Sequence, residues 1–353
     1  MKARILIGVS LLLAGGAAGC AGPGGSNEPA VIRQRAMECL KRGAQYEYLA
    51  SVRAAAIEAL GNHGGPETLP WIRNALHDDS EGVRFSAEMA LGARKDELAL
   101  PALRKLHAEG TPSDRIGAIY AMHQMGDTRF TGELAGHLLD GATRTERGNA
   151  ALVLGRLGGE GTNRLLSLAL SDTNPAMRVN VLEAMALQHN EYAIETLHAN
   201  AYGGIGAEEV FALNTLATLR DPKYANLFRL RMEEALHIES KLAAARGLGL
   251  LGDKSGYELA VGALTYRATQ PDKTESAANQ THRVHQMAAH ALAAIGDPRA
   301  LPGLRRLMDD AEDPRTQIAA ANAILTILEG NRAAPEAGNR AAPAMGPAEG
   351  VRR

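Results

Sequence analysis

Three histidines that lie close together are the nearest approach to a metal-binding or catalytic cluster in this chain. They are His282, His285 and His290, and neutral imidazoles are common metal ligands. On a helix, spacings of three and five residues put His282 and His285 on one face and His290 away from it. No carboxylate lies between them. We therefore interpret them as exposed or capping histidines and predict no metal, cofactor or catalytic site.

Other short motifs of enzyme chemistry are absent from the sequence. It holds no HExxH, no GxSxG, no Walker phosphate loop and no CxxC. The formal net charge of −2 gives no general attraction to nucleic acid, and aromatic residues make up only 4% of the chain. Stacking platforms for single-stranded nucleic acid or carbohydrate rely on exposed aromatic side chains. We predict a protein that is not an enzyme and does not bind nucleic acid.

The N-terminal residues point to export. Lys2 and Arg4 precede an apolar run of ten residues, from Ile5 to Ala14. A bilayer core needs roughly 20 residues, so this run is too short to span it. The pattern predicts a removable export signal.

The end of that signal resembles the signal of bacterial lipoproteins. Small residues lead to Cys20, which in that family is acylated and becomes the new N-terminus. The resemblance implies a signal at residues 1–19, lipid attachment at Cys20 and a flexible tether over residues 20–28. Because Ala21 follows the cysteine where an inner-membrane retention signal has Asp, analogy favours the outer membrane or its periplasmic face. The alternative is an ordinary secretory signal in which Cys20 has no role.

The second cysteine, Cys39, has no partner within the chain if Cys20 is acylated. It lies in an apolar helical stretch, and we interpret it as a buried structural thiol. Residues 29–51, which contain it, are predicted to be an N-terminal helix that caps the first repeat unit, as the ends of a solenoid require.

A ten-residue pattern, VRAAAIEALG at Val52–Gly61, returns along the chain at steps of 31 or 32 residues, with one step of 44. A period this regular indicates a solenoid whose units bury their apolar faces against their neighbours. In each unit, apolar or small residues three and four apart predict a first helix, a Gly near position 13 predicts its left-handed end, and a Leu stripe predicts a second helix. The copies start at Val52, Val83, Asp114, Glu146, Met177, Glu208, Ser240, Val284 and Thr316.

This repeat resembles the short HEAT repeats first recognised in phycocyanobilin lyases. The matching residues are VRxxAAxALGxxG followed by LPxL, as at Leu69–Ile72, Leu100–Leu103 and Leu301–Leu304. The resemblance covers about residues 30–329. It implies an all-α fold, a right-handed α-solenoid of about nine two-helix repeats over residues 52–329. It also implies that the second helices line a concave docking surface, with distortion where the copies at Asp114, Glu146 and Glu208 depart most from the consensus.

The resemblance brings no catalytic residues with it. HEAT-like hydroxylases that act on deoxyhypusine use His-Glu pairs as metal ligands, and no histidine here is followed by glutamate. The related lyases attach bilins in the cytoplasm, which conflicts with export. We therefore expect a non-catalytic protein.

Arginines form two groups in this pattern. The first occupies the second position of five units. Its side chains either form a basic stripe or, as we favour, pair with neighbouring Asp residues in a ladder or with helix-end carbonyls. Its members are Arg53, Arg84, Arg115, Arg147 and Arg178. The second group lies on the presumed concave helices and is predicted to bind a partner. Its members are Arg73, Arg104, Arg164, Arg229, Arg231 and Arg305.

Two segments break the repetition. Residues 265–283 account for the 44-residue step, and they are interpreted either as a partner-binding loop or as a tolerated insertion without a role. Residues 330–353 hold mainly Gly, Pro and Ala with almost no large apolar side chain, so we predict a disordered tail.

Together these features predict an envelope-anchored, monomeric scaffold that docks a protein or peptide through its second helices. Two alternatives remain. One is a structural envelope protein without a single cognate ligand, and the other is a lyase-like handler of a bilin or small ligand.

Overall fold

The computed structural model describes residues 28–45, 47–172, 174–204, 206–269 and 275–333, and every regular element among them is helical. The all-α prediction is confirmed. Each repeat copy coincides with a first helix. The first helices are α2 (Ala50–Asn62), α4 (Glu81–Ala93), α6 (Pro112–Gln124), α8 (Arg144–Leu157), α10 (Pro175–Leu187), α12 (Ala207–Thr218), α14 (Ile238–Leu250), α16 (Ala277–Ile295) and α18 (Pro314–Ala333).

A second helix follows each first helix except α18 in the described chain. Several begin after a short 3₁₀ turn, as at Pro298–Ala300, where Asp297 accepts a hydrogen bond from the Arg299 backbone N–H. The second helices are α3 (Leu69–Asn74), α5 (Leu100–Glu109), α7 (Leu134–Leu139), α9 (Thr162–Ala169), α11 (Glu191–Gly203), α13 (Ala225–Glu234), α15 (Tyr257–Ala263) and α17 (Leu301–Asp310). One further helix, α1 (Pro29–Gly43), precedes α2.

A left-handed residue at repeat position 13 follows most first helices. Glycine occupies it in five repeats with φ between 67° and 94°, as the sequence predicts. They are Gly64, Gly126, Gly158, Gly252 and Gly296. In three other repeats the same position holds Lys95, His189 or Arg220, with φ of 50°, 53° and 50°. The turn is therefore imposed by the repeat, even where the side chain makes it unfavourable.

The two ends of the described part of the chain meet. Helix α18 packs against both α16 and α2, and α1 packs along α18. Helix α18 is therefore the first helix of a ninth repeat whose second helix, α1, comes from the opposite end of the chain. The solenoid is a closed ring. The prediction that residues 29–51 cap an open end is wrong, because α1 completes a repeat instead of covering one.

Specific contacts stabilise this closure. Gly43 of α1 faces Ile318 of α18 so closely that a Cβ on Gly43 would lie 2.5 Å from the Ile318 Cδ1. Arg35 of α1 forms a 2.9 Å ion pair with Asp309 of α17. The buried core is continuous across the junction, with Leu40 and Ile324 both fully inaccessible to water.

The first helices form the inner layer of the ring and the second helices the outer layer. Neighbouring first helices pack side by side around the ring, whereas second helices touch each other little. Small residues allow the close packing, since a Cβ on Gly92 would lie 2.7 Å from the Ala121 Cα, and one on Gly155 would lie 2.7 Å from the Ala184 Cα. The layer whose helices lie closer together has the smaller circumference, so the first helices line the inside of the ring. The expectation that second helices line the concave face is therefore wrong.

The inner layer is loosest between α10 and α12, where the two helices touch only sparsely and α11 packs along α12 instead. This is the step into the unit that starts at Glu208, one of the three places where distortion was predicted. A short Gly-rich link, containing Gly204 and Gly206, connects α11 to α12. The repeat is thus least regular where its sequence departs from the consensus.

The insertion and the termini are only partly described. Helix α15 ends at Ala263, and α16 begins at Ala277, so part of the surplus lengthens the first helix of the eighth repeat. Residues 270–274 lie outside the described residues. So do the predicted signal, Cys20, nearly all of the tether, and residues 334–353, while α18 continues to Ala333. In the part that the structure describes, no helix is long and apolar enough to cross a membrane.

Candidate functional sites: an inner cavity and an outer groove

The arginines at the second repeat position form a ladder of ion pairs, as favoured from the sequence. Arg84 of α4 donates two hydrogen bonds to Asp114 of α6, at 2.8 and 2.9 Å. Arg53 and Arg147 pair in the same way with Asp78 and Asp172. Arg115 and Arg178 donate instead to backbone carbonyls at Gly110 and Asp172. These side chains connect consecutive repeats and do not form a free basic stripe.

The arginines predicted to bind a partner lie on the outer layer, and three of them are already in ion pairs. Arg73 lies 2.7 Å from Asp96, Arg229 lies 2.9 Å from Asp253, and Arg231 pairs with the buried Glu209. Charge reversal at Arg231 would therefore leave a buried carboxylate unpaired. Arg305 is half-buried and has an interaction partner of its own.

The other two, Arg104 and Arg164, are exposed, and neither forms a hydrogen bond or ion pair within the described chain. Partner binding at these six positions stays a prediction. Only Arg104 and Arg164 could meet a partner without first giving up an internal contact.

A cavity of about 400 Å³ opens on the inner layer and is lined only by first helices, α10, α12, α14 and α16. Thr215 and Thr218 line it, and its other polar side chains all stand at position 7 of their repeats. They are Glu183, Asn214, Arg246 and His290. Phe211, Leu242 and Met287 supply the apolar wall. Equivalent positions of stacked repeats lie side by side on the first helices. This single position of the repeat therefore supplies the charged and titratable groups of the cavity.

Charges in this cavity are poorly hydrated. Desolvation lowers the pKa of Arg246, which also senses Arg220, and raises the pKa of Glu183, which senses Arg156. Desolvation, together with Arg246, lowers the pKa of His290, although this imidazole is accessible to water. Both observations fit a side chain in a narrow cavity, where water reaches the imidazole ring but protein surrounds it.

A second chamber of about 330 Å³ lies across α2, α16 and α18, and His290 also lines it. Glu58, Asn62 and Asn322 face this chamber. His63, just after α2, contacts Asn322 through Nε2 at 2.8 Å and Glu329 through Nδ1 at 2.7 Å. The chamber thus borders the junction at which the ring closes.

An outer groove of about 640 Å³ separates α11 from the turn that begins α13. Ile194, His198 and Tyr224 line it, and the ring of Tyr202 lies 5.1 Å from that of His198. Tyr192 and Tyr202 on α11 are 60% and 46% exposed, and Leu168 on the neighbouring α9 is 55% exposed. Two exposed aromatic side chains therefore lie on α11, the helix that lines this groove.

The three histidines of the sequence cluster lie in different surroundings. His282 lines a pocket of about 940 Å³ between α15, the lengthened start of α16, and α17. His285 is buried and contacts the Tyr266 carbonyl at 2.9 Å, and burial lowers its pKa. His290 faces the inner cavity. The structure does not bring the three together. Among the described residues, no group of three His, Cys, Asp or Glu side chains could hold a metal ion.

Two buried groups lie outside these sites. Cys39 is buried and free, as predicted, and desolvation raises its pKa. Glu88 of α4 is completely inaccessible to water, and neither carboxyl oxygen has a hydrogen-bond partner. Gly117 makes room for it, because a Cβ there would lie 1.9 Å from the Glu88 Oε2. Desolvation and the nearby Asp114 carboxylate raise the pKa of Glu88 well above its ordinary value.

Sequence reasoning missed the inner cavity because its residues form no motif along the chain. A signal was nevertheless present at position 7, which is polar in six of the nine copies while positions 6 and 8 are mostly apolar or small. Those six residues are Glu58, Glu183, Asn214, Arg246, His290 and Asn322. Comparing the copies by position would have shown a polar stripe on the first helix.

Comparison with known proteins agrees with this architecture. The family model for HEAT repeats matches residues 43–123 and 229–325, together just over half of the chain. The protein belongs to the HEAT-repeat family. No curated protein matches the sequence.

The solved structures to which this chain is similar are distant. Human deoxyhypusine hydroxylase is 19% identical over 85% of this chain and 98% of its own, with a TM-score of 0.33. The CpcE–CpcF complex of phycocyanin lyase from Nostoc is 18% identical over 67% of this chain and 92% of its own, with a TM-score of 0.40. The YibA protein of E. coli is 12% identical over 85% and 97%, with a TM-score of 0.29.

Proposed function

We propose that this protein is a lipid-anchored ring scaffold of the bacterial cell envelope that docks a protein partner on its outer layer, without catalysis. The observation that carries the proposal is the exposed apolar surface that Tyr192 and Tyr202 form on α11, the helix that lines the groove at Tyr224. Apolar patches of this kind, with polar surroundings, are typical of protein-interaction sites. The docking surface therefore differs from the concave second-helix face expected from the sequence.

The aromatic side chains at the groove suit a protein or peptide partner. Tyr192 and Tyr202 combine apolar ring area with a hydroxyl, which is the composition of interaction hot spots. Glu191, Glu195 and Lys223 give the groove a mixed polar rim. A partner would bury the rings while the rim stays wet.

The docking test is crosslinked capture of partners from native membranes, using the full-length acylated protein. The double variant Tyr192→Ser/Tyr202→Ser should lose capture of the principal partner. Leu236→Ser is the matched control, because Leu236 is 93% exposed but is not part of the groove. Equal capture by the double variant and the wild type would overturn the proposal.

The anchor proposal rests on the sequence of residues 1–28. The proposal puts the acylated Cys20 a few residues before α1 in the sequence. The ring would therefore be held near the membrane by its outer layer. Metabolic labelling with a palmitate analogue should mark the wild type and Cys39→Ser but not Cys20→Ser. Labelling that persists in Cys20→Ser would remove the anchor from the proposal.

We also infer a monomer. In an open solenoid the terminal repeats present apolar faces that another copy could extend, whereas here α1 and α18 cover each other. Light scattering of the purified domain should give the mass of one chain. A concentration-dependent dimer would contradict this part of the proposal.

A further inference from the structure

Arg246, which is half-buried on α14, differs from those arginines of the ladder that pair with a carboxylate. Arg53, Arg84 and Arg147 each have a carboxylate partner at about hydrogen-bond distance. Arg246 forms no ion pair within the described chain, and its only protein hydrogen bonds go to the Asn214 side chain at 3.2 Å and the Asn214 carbonyl at 3.5 Å. A guanidinium has five N–H donors, so most of them remain available to a molecule in the cavity.

The missing counter-charge is unfavourable for a guanidinium that is half-buried. A charged group that is removed from water is unfavourable unless it is paired. Glu183 also lines the cavity, but the charge that it senses is Arg156. The guanidinium is therefore half-buried in the cavity, with unused donors and without an ion pair among the described residues.

His290 adds a second unused polar group beside Arg246. Its imidazole faces the cavity, forms no hydrogen bond within the described chain, and senses the Arg246 charge. A neutral imidazole donates one hydrogen bond and accepts one. It can therefore donate to an anion that the guanidinium holds.

We propose that the inner cavity binds a small organic carboxylate, with its carboxylate group on Arg246 and His290 and its apolar body against Phe211, Leu242 and Met287. The planar guanidinium matches a carboxylate through two parallel hydrogen bonds. The cavity volume of about 400 Å³ is in the usual range for small-molecule sites.

The apolar wall selects among anions. Inorganic phosphate would leave Phe211 and Met287 without a contact, whereas an aliphatic or aromatic acid would cover them. The cavity is also lined by first helices, away from the proposed docking groove on the outer layer. Binding here is therefore independent of the scaffold function, and each can fail without the other.

The test is calorimetric titration of the purified full-length domain with hexanoate and 3-phenylpropionate, with hexanol and inorganic phosphate as controls. At least one carboxylate should bind saturably, and the controls should not. Arg246→Met should weaken binding about tenfold or more, because it removes a charge-assisted bidentate contact. Arg104→Met is the matched control on the outer face and should leave binding unchanged.

A second measurement keeps the proposal testable if Arg246→Met does not fold. In the wild type, NMR titration of the His290 ring should show that a bound carboxylate raises the pKa of His290, because a negative charge favours the imidazolium. The proposal is overturned if neither carboxylate binds at millimolar concentration, if phosphate competes equally with them, or if the His290 titration is unchanged at saturation.

Discussion

The imidazole of His63 and the carboxylate of Glu329 are 266 residues apart in the sequence and 2.7 Å apart in the fold. His63 is buried just after the first helix of the first repeat, and Glu329 lies near the end of the described chain. The same ring contacts Asn322 through its other nitrogen. The His63 side chain thus connects the end of α2, in the first repeat, with α18, in the ninth repeat.

Removing this connection should loosen the closure. His63→Ala removes the contacts of His63 with Glu329 and Asn322, while Glu329 keeps its 3.7 Å ion pair with Arg33. We expect the free energy of unfolding to fall by about 1–3 kcal/mol. Small-angle scattering should also show a larger radius of gyration. His107→Ala is the control, because His107 pairs with Glu133 at 2.9 Å between adjacent repeats and does not join the ends. An equal expansion in both variants would contradict a specific role in closure.

The close packing of the inner layer predicts intolerance of a single methyl group at Gly155. A Cβ there would lie 2.7 Å from the Ala184 Cα, so α8 and α10 would have to separate. We expect Gly155→Ala to lower the free energy of unfolding by about 1–3 kcal/mol. Gly136→Ala on the outer α7 has open space and should be neutral or stabilise by about 0.5–1 kcal/mol. Denaturant unfolding measures both, and similar values for the two would refute close inner packing.

The left-handed turn at repeat position 13 predicts a stabilising substitution. Lys95 adopts φ 50°, a conformation that costs a non-glycine residue about 1 kcal/mol. Lys95→Gly should therefore raise the free energy of unfolding by about that amount. The reverse change at an equivalent position, Gly252→Lys, should lower it, since Gly252 has φ 85°. Thermal unfolding of the two variants checks the pair, and a destabilised Lys95→Gly would show that its side chain contributes more than its backbone costs.

Glu88 predicts a pH dependence with a definite sign. Its pKa is raised in the folded state, so above about pH 4.5, the ordinary glutamate value, the unfolded chain loses a proton that the folded chain keeps. The contribution of Glu88 to the free energy of unfolding is complete below that pH and is lost as the pH rises. Glu88→Gln, of similar shape and without charge, should therefore gain stability over the wild type progressively from pH 4.5 to 8.

Denaturant unfolding of the two proteins at several pH values measures this difference directly, because the other titrating groups cancel between them. The neighbouring Met89, at 8% exposed, supplies a control position in Met89→Leu, whose difference from the wild type should not vary with pH. A difference at Glu88→Gln that is constant with pH would mean that Glu88 ionises freely in the fold.

The repeat sequence is sufficient to predict the helices but not the ring. Val52, Gly64 and Arg53 belong to a local pattern, and the helix, its left-handed end and the Arg–Asp ladder all follow from local geometry. Closure depends on the sum of small rotations over nine junctions, and no single residue carries that information. Gly43 reveals the ring closure only in the fold, where Ile318 lies directly against it.

The inner cavity was hidden for a related reason. Arg246 and His290 are separated by the insertion in the sequence, and each alone is an ordinary polar residue on an amphipathic helix. Only the stacking of repeats puts them on one wall. Residues that share a position in a repeat are neighbours in space, although they are distant in the chain.

The split ninth repeat also determines the order in which this fold can be completed. Helix α1 is synthesised first and α18 last, so α1 lacks its main packing partner until the final repeat exists. An open solenoid can grow from any point and frays at its ends. This ring has no ends to fray, and its last step is a single long-range association that makes all nine repeats one cooperative unit.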